Sequence, residues 1–123
     1  FRSYSYQVDV YESYCETYGW QQADTFSARP GYSEHQTGLT IDCNTIDDAF
    51  GQTKEAQWLA EHCADYGFII RFPDGKEDIT GYQYEPWHIR YVGVNIAREI
   101  MSKGLCLEEY LGVDSVYAGA WEH

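Results

Sequence analysis

The chain is 123 residues long, which is enough for one domain and too short for two of ordinary size. Its 20 Asp and Glu outnumber 8 Lys and Arg, and the net charge of −12 argues against binding to nucleic acid or to an anionic membrane surface. An apolar share of 44% and an aromatic share of 17% predict a packed core rather than a disordered chain. The sequence has no run of about 18 apolar residues, so we expect no membrane span in this chain.

The ends and the cysteines leave two questions open. The chain begins at Phe1 without a visible signal peptide, so we expect residues 1–123 to form a single domain, with the N-terminal part of a longer protein and any anchor upstream. The four cysteines contain no CxxC pair, which makes a zinc ribbon a weak interpretation. Disulfides in three alternative pairings and buried free thiols both remain possible for them. They are Cys15, Cys43, Cys63 and Cys106.

The first third of the chain predicts a helix, a long loop and a strand. The helix covers residues 5–18, with Ser3 or Ser5 as its N-cap and Gly19 at its end. Its inward face is predicted from helical spacing to carry Val8, Tyr11, Cys15 and Tyr18. Residues 21–38 are polar and rich in Ser, Gly and Pro, which predicts a loop, and loops of that length are often functional. Residues 39–43 alternate and include β-branched side chains, which indicates a short strand.

The middle of the chain predicts a second helix and two strands. The helix covers residues 53–66, begins at a Thr53 cap and ends at Gly67. Its buried stripe is predicted to be Ala56, Leu59, Ala60 and Cys63. Residues 68–72 indicate a strand, and residues 73–75 a turn. Residues 82–92 indicate another strand, in which Pro86 favours an edge position or a bulge.

The last third predicts a third helix, which ends at Lys103-Gly104. Its buried face is predicted to carry Val94, Ala97, Ile100 and Met101. Residues 107–111 predict one further helical turn. This order of helices and strands indicates the α+β class, with a small sheet backed by helices, because the strands are too few and too close for a parallel Rossmann arrangement.

Two segments concentrate side chains that can do chemistry, SEHQTGLTID at residues 33–42 and EPWH at residues 85–88. Catalytic zinc usually takes three protein ligands from His, Asp and Glu and leaves a fourth position for water. His35, Asp42 and His88 can fill that set, and Glu85 is then available to accept a proton from the water. Spacing alone leaves the alternative of two solvent-exposed histidines open.

Four strings resemble segments of a known family. SEHQTGLTID is similar to the SxHxxGxxxD element of the M15 family of zinc peptidases, and EPWHIRYVG is similar to their ExxH element. The opening FRSYSYQ and the later SARPGY resemble two further segments of its VanY/LdcB-like group of D-alanyl-D-alanine and L,D-carboxypeptidases. The resemblance extends in the family's order from Phe1 to about Leu111, with Thr40 standing where many members have Ala or Ser. It implies a Hedgehog/D-Ala-D-Ala peptidase-like α+β fold, a small antiparallel sheet with flanking helices.

The resemblance also implies roles for nine residues. The ligands of one Zn²⁺ would be His35, Asp42 and His88. Glu85 would be the general base and acid, and Arg2 would stabilise the oxyanion of the tetrahedral intermediate. The expected substrate-binding residues are Gln7 and Ser27 at the terminal D-residue or its carboxylate, Trp87 in the pocket wall and Ser33, which would steady the loop that bears His35.

Other polar residues have structural interpretations. We expect Arg29 to tie down its loop by ion pairing and His62 to be solvated. The pair Asp47-Asp48 is predicted to start a turn or to cap a helix rather than to bind a metal. His123 is predicted to be disordered.

The functional hypothesis is a zinc-dependent carboxypeptidase that removes the C-terminal D-alanine from peptidoglycan stem peptides, with D,D and L,D specificity both open. We expect a monomer that acts outside the cytoplasm. One alternative is a peptidoglycan endopeptidase on the same scaffold. Another is a non-catalytic, zinc-containing cell-wall-binding domain, against which the presence of Glu85 argues. A carbohydrate-binding module would account for the 12 Tyr and 4 Trp but would leave the His, Asp and Glu set unexplained.

Overall fold

A computed structural model describes residues 1–118, so the expectation for His123 lies outside the described residues. The α-helices of this range are α1 Tyr4–Tyr18, α2 Trp20–Ala23, α3 Lys54–His62, α4 Glu77–Thr80, α5 Val94–Lys103 and α6 Leu107–Leu111. Its strands are β1 Thr40–Asp42, β2 Phe68–Ile70 and β3 His88–Tyr91, and its 3₁₀ helices are Glu34–Thr37, Asp48–Gln52 and Cys63–Tyr66. The predicted α+β class, with a small antiparallel sheet and flanking helices, is confirmed.

The three strands form one antiparallel sheet in the order β1-β3-β2. Side chains that lie opposite each other across antiparallel strands point to the same face of the sheet. One face carries Ile70 opposite Ile89, and both pack against Cys63 in the core. The other face carries Asp42 opposite His88. The sheet therefore separates a hydrophobic layer from a face that carries two of the predicted metal ligands.

The first predicted helix is confirmed as α1. Of the two candidate caps, Ser3 is the one used, because its side chain accepts a hydrogen bond from the backbone N–H of Tyr6 at 3.2 Å. The inward face differs from the prediction. Gln7 is buried, with 1% of its surface exposed, whereas Tyr18 is 51% exposed. A polar side chain thus occupies the most buried position of α1, and its partners lie in the site described below.

The strand predicted over residues 82–92 is wrong in its first half, because only His88–Tyr91 is a strand. Pro86 precedes the strand rather than interrupting it. β3 is also the central strand and not an edge, since it pairs with β1 on one side and β2 on the other. Proline has no N–H to give to a sheet, so the ladder on both sides begins only after it.

The second predicted helix divides into α3 and the 3₁₀ helix Cys63–Tyr66. Thr53 is confirmed as its cap, with its side chain accepting from the backbone N–H of Ala56 at 3.2 Å. Ala60 is exposed and does not belong to the buried stripe. The third helix and the turn at residues 107–111 are confirmed as α5 and α6, although Val94 is exposed.

Residues 21–38 are not the continuous loop that was predicted, because α2 and the 3₁₀ helix Glu34–Thr37 occupy part of them. Two short helices escaped the sequence analysis, α4 and the 3₁₀ helix Asp48–Gln52. The cap at Asp47 is confirmed, since its carboxylate accepts from the backbone N–H of Ala49 at 2.7 Å. The four cysteines are free thiols. None of the helices in residues 1–118 combines the length and the hydropathy that crossing a membrane requires.

Candidate metal and catalytic site

The local structure of residues 33–42 brings His35 to the sheet. Ser33 caps the 3₁₀ helix Glu34–Thr37, and its hydroxyl accepts from the backbone N–H of His35 at 3.3 Å. Gly38 ends this helix in the left-handed region at φ 76°, a conformation that glycine adopts without strain. The chain then enters β1, whose last residue is Asp42. One short helix and one strand therefore place His35 and Asp42 on the same side of the fold.

The three predicted ligands converge. Asp42 lies directly opposite His88 in the β1–β3 register. Asp42 Oδ1 is 3.4 Å from His35 Nε2 and 3.5 Å from His88 Nδ1, and one ligand atom from each of the three residues lies within 4.8 Å of the others. Tetrahedral zinc with bonds of about 2.0–2.1 Å separates neighbouring ligand atoms by roughly 3.4 Å. The two distances from Asp42 Oδ1 to the histidine nitrogens therefore match those expected between ligands of one zinc ion.

The state of Asp42 supports this assignment. Its Oδ1 atom is buried and has no hydrogen-bond partner, and a buried carboxylate oxygen left in that state is costly. Burial by itself raises the pKa of Asp42, but the imidazole of His35, the imidazole of His88 and the guanidinium of Arg2 lower it overall. The carboxylate is therefore ionised, and a cation bound between the three side chains would satisfy the orphaned oxygen.

Glu85 lies beside the ligands but differs from Asp42 in its environment. Its Oε2 atom is 3.4 Å from His88 Nδ1, and the residue is 5% exposed. Burial raises the pKa of Glu85, and contact with His88 offsets only part of this effect. A carboxyl group whose pKa is raised by burial holds a proton more readily than a free one, which suits a group that must accept a proton and return it.

Arg2 reaches the site from the segment before α1. Its Nη2 atom lies 3.8 Å from Asp42 Oδ2, and its backbone N–H donates to the carbonyl of His35 at 2.9 Å. Its Nη1 atom donates to Gln7 Oε1 at 2.8 Å, and Gln7 Nε2 donates to the carbonyl of Ala28 at 2.6 Å. Gln7 therefore ties Arg2 to the segment that carries Ser27.

A cavity of about 310 Å³ opens over these side chains. Eight of the nine predicted site residues line it, and the exception is Gln7, which lies behind Arg2. Ser27 and Ser33 are buried in its wall. Trp87 belongs both to the cavity wall and to the core, where it packs with Phe50 and Ala56.

The residues behind His88 were not predicted from the sequence. Glu34 Oε1 lies 2.8 Å from His88 Nε2, and Glu34 Oε2 accepts from Arg71 Nε at 2.9 Å and from Arg90 Nη1 at 3.0 Å. Burial alone would raise the pKa of Glu34, but hydrogen bonding to His88 and the two arginines lower it to about 2. Arg71 and Arg90 lie in or beside predicted strands, and this position was the signal that could have pointed to Glu34. A charge that is buried in a sheet needs a partner of opposite charge.

Two predictions for polar residues outside the site are confirmed. Arg29 makes a bidentate ion pair with Asp24, with N–O distances of 3.1 and 2.5 Å. His62 is 44% exposed at its side chain and contacts Asp65 at 3.8 Å.

Comparison with known proteins finds relatives that align with most of this chain. The family model of VanY, D-alanyl-D-alanine carboxypeptidase, matches residues 1–94. A relative from Bacillus subtilis, named putative carboxypeptidase YodJ, is 44% identical over 116 residues, which cover 89% of this chain and 42% of the relative.

Two solved structures extend the comparison. The structure of the LdcB LD-carboxypeptidase is 52% identical, has a TM-score of 0.85 and aligns with 94% of this chain and 62% of its own. A VanY D,D-pentapeptidase variant in complex with Zn(II) is 38% identical, has a TM-score of 0.79 and aligns with 90% of this chain and 67% of its own. The chain spans about two fifths of YodJ and less than two thirds of LdcB.

Proposed function

Because the chain belongs to the VanY family of D-alanyl-D-alanine carboxypeptidases, we propose that it is a zinc-dependent carboxypeptidase that removes the C-terminal D-alanine from peptidoglycan stem peptides. The observation that carries this proposal is the convergence of His35, Asp42 and His88 at zinc-ligand spacing around a carboxylate oxygen without a partner. The VanY structure in complex with Zn(II) supports zinc as the ion.

The proposed reaction is hydrolysis of the last peptide bond. Zinc, when bound, would supply Lewis acidity, which polarises a carbonyl group and lowers the pKa of water. Glu85 accepts a proton from the attacking water while the water oxygen bonds to the carbonyl carbon. Glu85 then gives this proton to the amine nitrogen as the C–N bond breaks, and free D-alanine leaves. This role is supported by the buried position of Glu85, whose Oε2 atom lies 3.4 Å from His88 Nδ1.

Arg2 is proposed to stabilise the negative charge that develops on the carbonyl oxygen. Among residues 1–118, the arginines that line the cavity are Arg2 and Arg71. Arg71 donates through three nitrogens to Glu34 and Glu108. Arg2 donates to Gln7 and lies 3.8 Å from Asp42, so it is the less engaged of the two arginines and the proposed donor to the substrate. Gln7 holds the Arg2 guanidinium in place.

Recognition of the terminal D-residue is proposed to involve Ser27 and Gln7, with Trp87 as a wall of the pocket and Ser33 as support for His35. Ser27 lines the cavity, whereas Gln7 does not line it and contacts Arg2, which does. A site that binds a free carboxylate through buried donors rejects a substrate that lacks it, by a factor of about 10⁴ or more. This preference distinguishes a carboxypeptidase from an endopeptidase.

The test is mass spectrometry of synthetic stem pentapeptides and tetrapeptides after incubation with the zinc-loaded protein. We expect loss of one D-alanine from at least one of the two peptides, which also separates D,D from L,D specificity. The control substrate is the same peptide with a C-terminal amide in place of the carboxylate, and we expect it to remain intact. Equal cleavage of the amidated and free peptides would overturn the carboxypeptidase proposal and favour an endopeptidase, and no cleavage of either peptide by zinc-loaded protein would favour a binding domain.

We further propose that residues 1–123 form one monomeric catalytic domain of a longer protein and that it works outside the cytoplasm. The proposed location outside the cytoplasm is supported by the substrate, since the stem peptide is a component of the cell wall. Size-exclusion chromatography with light scattering of this chain tests the monomer, and a mass of twice 14.2 kDa would contradict it.

A further inference from the structure

The orientation of His88 depends on a partner at its outer nitrogen. His88 Nδ1 faces Asp42 Oδ1 at 3.5 Å, while Nε2 lies 2.8 Å from Glu34 Oε1. An imidazole that ligates a metal through one nitrogen carries its proton on the other. With Nε2–H donating to Glu34, the lone pair of Nδ1 points toward Asp42 and His35.

The Glu34 carboxylate is itself held on both oxygens. Oε1 also accepts from the Thr40 hydroxyl at 3.1 Å, and Oε2 accepts from Arg71 Nε at 2.9 Å and Arg90 Nη1 at 3.0 Å. Its side chain is only 13% exposed. A carboxylate with four donors has little rotational freedom, so it fixes the ring of His88 rather than following it.

The ion pairs that hold Glu34 extend to the C-terminal part of the described chain. Arg71 Nη1 and Nη2 donate to the two oxygens of Glu108 at 2.7 and 3.0 Å. Glu108 is buried on α6, beyond the residues that the family model matches. The path from α6 to the ligand is therefore Glu108, Arg71, Glu34 and His88. Charge is balanced along it, since two carboxylates face the arginines Arg71 and Arg90.

We propose that Glu34 is a positioning residue of the metal site, which holds His88 with Nδ1 toward the ion, and that Arg71, Arg90 and Glu108 hold Glu34. The inference rests on the proposed metal site and deepens it. Outer partners of this kind usually account for about 10- to 100-fold in metal affinity. A merely structural ion-pair network would change the stability of the fold but not the affinity of the folded protein for zinc.

The experiment compares zinc affinities measured by competition with a chromophoric chelator. Glu34→Gln keeps the size of the side chain and removes its charge. Glu34→Asp keeps the charge between the two arginines, which protects folding, and withdraws the carboxylate by one methylene. The matched control is Glu109→Gln, because Glu109 is the exposed neighbour of Glu108 on α6 and pairs with Lys76 outside the network.

We expect zinc affinity to fall by about 10- to 100-fold in both Glu34 variants and to stay within about twofold of the parent in Glu109→Gln. The visible spectrum of the cobalt-substituted protein should shift in the Glu34 variants, since His88 is no longer held. Circular dichroism of the metal-free proteins confirms that each variant is folded.

Parental zinc affinity in a folded Glu34→Gln or Glu34→Asp variant would overturn the inference and leave the proposed function intact. Failure of the parent protein to bind zinc would instead overturn the proposed function. If Glu109→Gln lost as much zinc affinity as the Glu34 variants, the inference would also be overturned. The loss would then come from the change in net charge and not from the contact between Glu34 and His88.

Discussion

At the scale of single residues, two carboxyl groups, those of Asp42 and Glu85, lie beside the same imidazole nitrogen, His88 Nδ1, but differ in their pKa shifts. Asp42 has a lowered pKa because the neighbouring imidazoles and Arg2 outweigh its burial. Glu85, which is more deeply buried, has a raised pKa because burial dominates. Carboxyl groups whose environments move their pKa values apart are suited to separate roles. Asp42 is thereby suited to be a ligand and Glu85 to move a proton.

Replacement of Glu85 by Gln tests that division. We expect Glu85→Gln to keep its fold and its zinc while kcat falls by about 10² to 10⁴-fold, because the amide cannot accept a proton. Turnover of the stem peptide and zinc content by mass spectrometry are the two measurements. Glu61→Gln, an exposed change on α3, is the control and should keep parental turnover. A Glu85→Gln variant within a few fold of the parent would exclude the proposed role.

Arg2 offers an independent prediction. Arg2→Ala should lower kcat by on the order of 10²-fold or more, because a preorganised donor to the developing oxyanion is lost. Arg98→Ala is the matched control, since Arg98 is exposed on α5 and pairs only loosely with Asp65 at 3.3 Å. Steady-state kinetics on the stem peptide measure both. An unchanged rate in Arg2→Ala would show that Arg2 serves the structure alone.

At the scale of elements, the turn after α4 determines how the last described segment closes the cavity. Gly81 has φ 82°, and a Cβ atom there would lie 2.5 Å from Tyr117 Cβ and 2.6 Å from its backbone carbonyl carbon and oxygen. Tyr117 packs against Phe72 and Tyr82 in a small hydrophobic cluster and lines the cavity. A side chain at residue 81 would therefore push the C-terminal segment away from the cavity wall.

Two glycines of similar conformation make this a matched comparison. Gly75 has φ 81° but nothing within 4 Å of the added Cβ, so Gly75→Ala should cost about 1 kcal/mol from backbone strain alone. Gly81→Ala should cost about 1–3 kcal/mol more through overpacking and should also lower turnover. Urea denaturation and peptide hydrolysis measure the two effects. Equal stability of the two variants would contradict the close contact with Tyr117.

At the scale of the whole molecule, the proposed metal joins segments that are distant in the sequence. His35 comes from the 3₁₀ helix Glu34–Thr37, Asp42 from the end of β1 and His88 from the start of β3. An ion bound by all three would stabilise the native state only, since the unfolded chain does not bring them together.

Removal of the metal should therefore lower the melting temperature. At free zinc of 100 times Kd, binding contributes about 2.7 kcal/mol, which corresponds to roughly 10 °C in Tm for a chain of this size. We expect the parent protein and His62→Ala, a change at an exposed histidine, to lose this stabilisation on chelation. His88→Ala should melt at the same temperature with and without zinc. Differential scanning calorimetry measures the shift, and a chelator-insensitive parent would contradict the prediction.

The order of the three strands and of the longer helices, and the choice of His35, Asp42, Glu85 and His88 as candidate site residues, came from the sequence. Amphipathic periodicity, caps and glycine stops are local signals, and they sufficed to locate α1, α5 and α6. Short helices such as α4 were missed because they have too few residues to show a period. Pro86 suggested an edge strand, although the strand begins just after it and is central, because strand order depends on long-range pairing.

The α+β class, the predicted metal ligands and the predicted base beside them follow from local patterns and from side-chain chemistry, which can be read without the fold. Three long-range contacts are visible only in the folded chain: Asp42 lies opposite His88, Gln7 holds Arg2, and Glu34 links His88 to Arg71 and through it to Glu108 on α6. The physical reason is that a buried charge needs a partner, but the fold alone determines which distant residue supplies it.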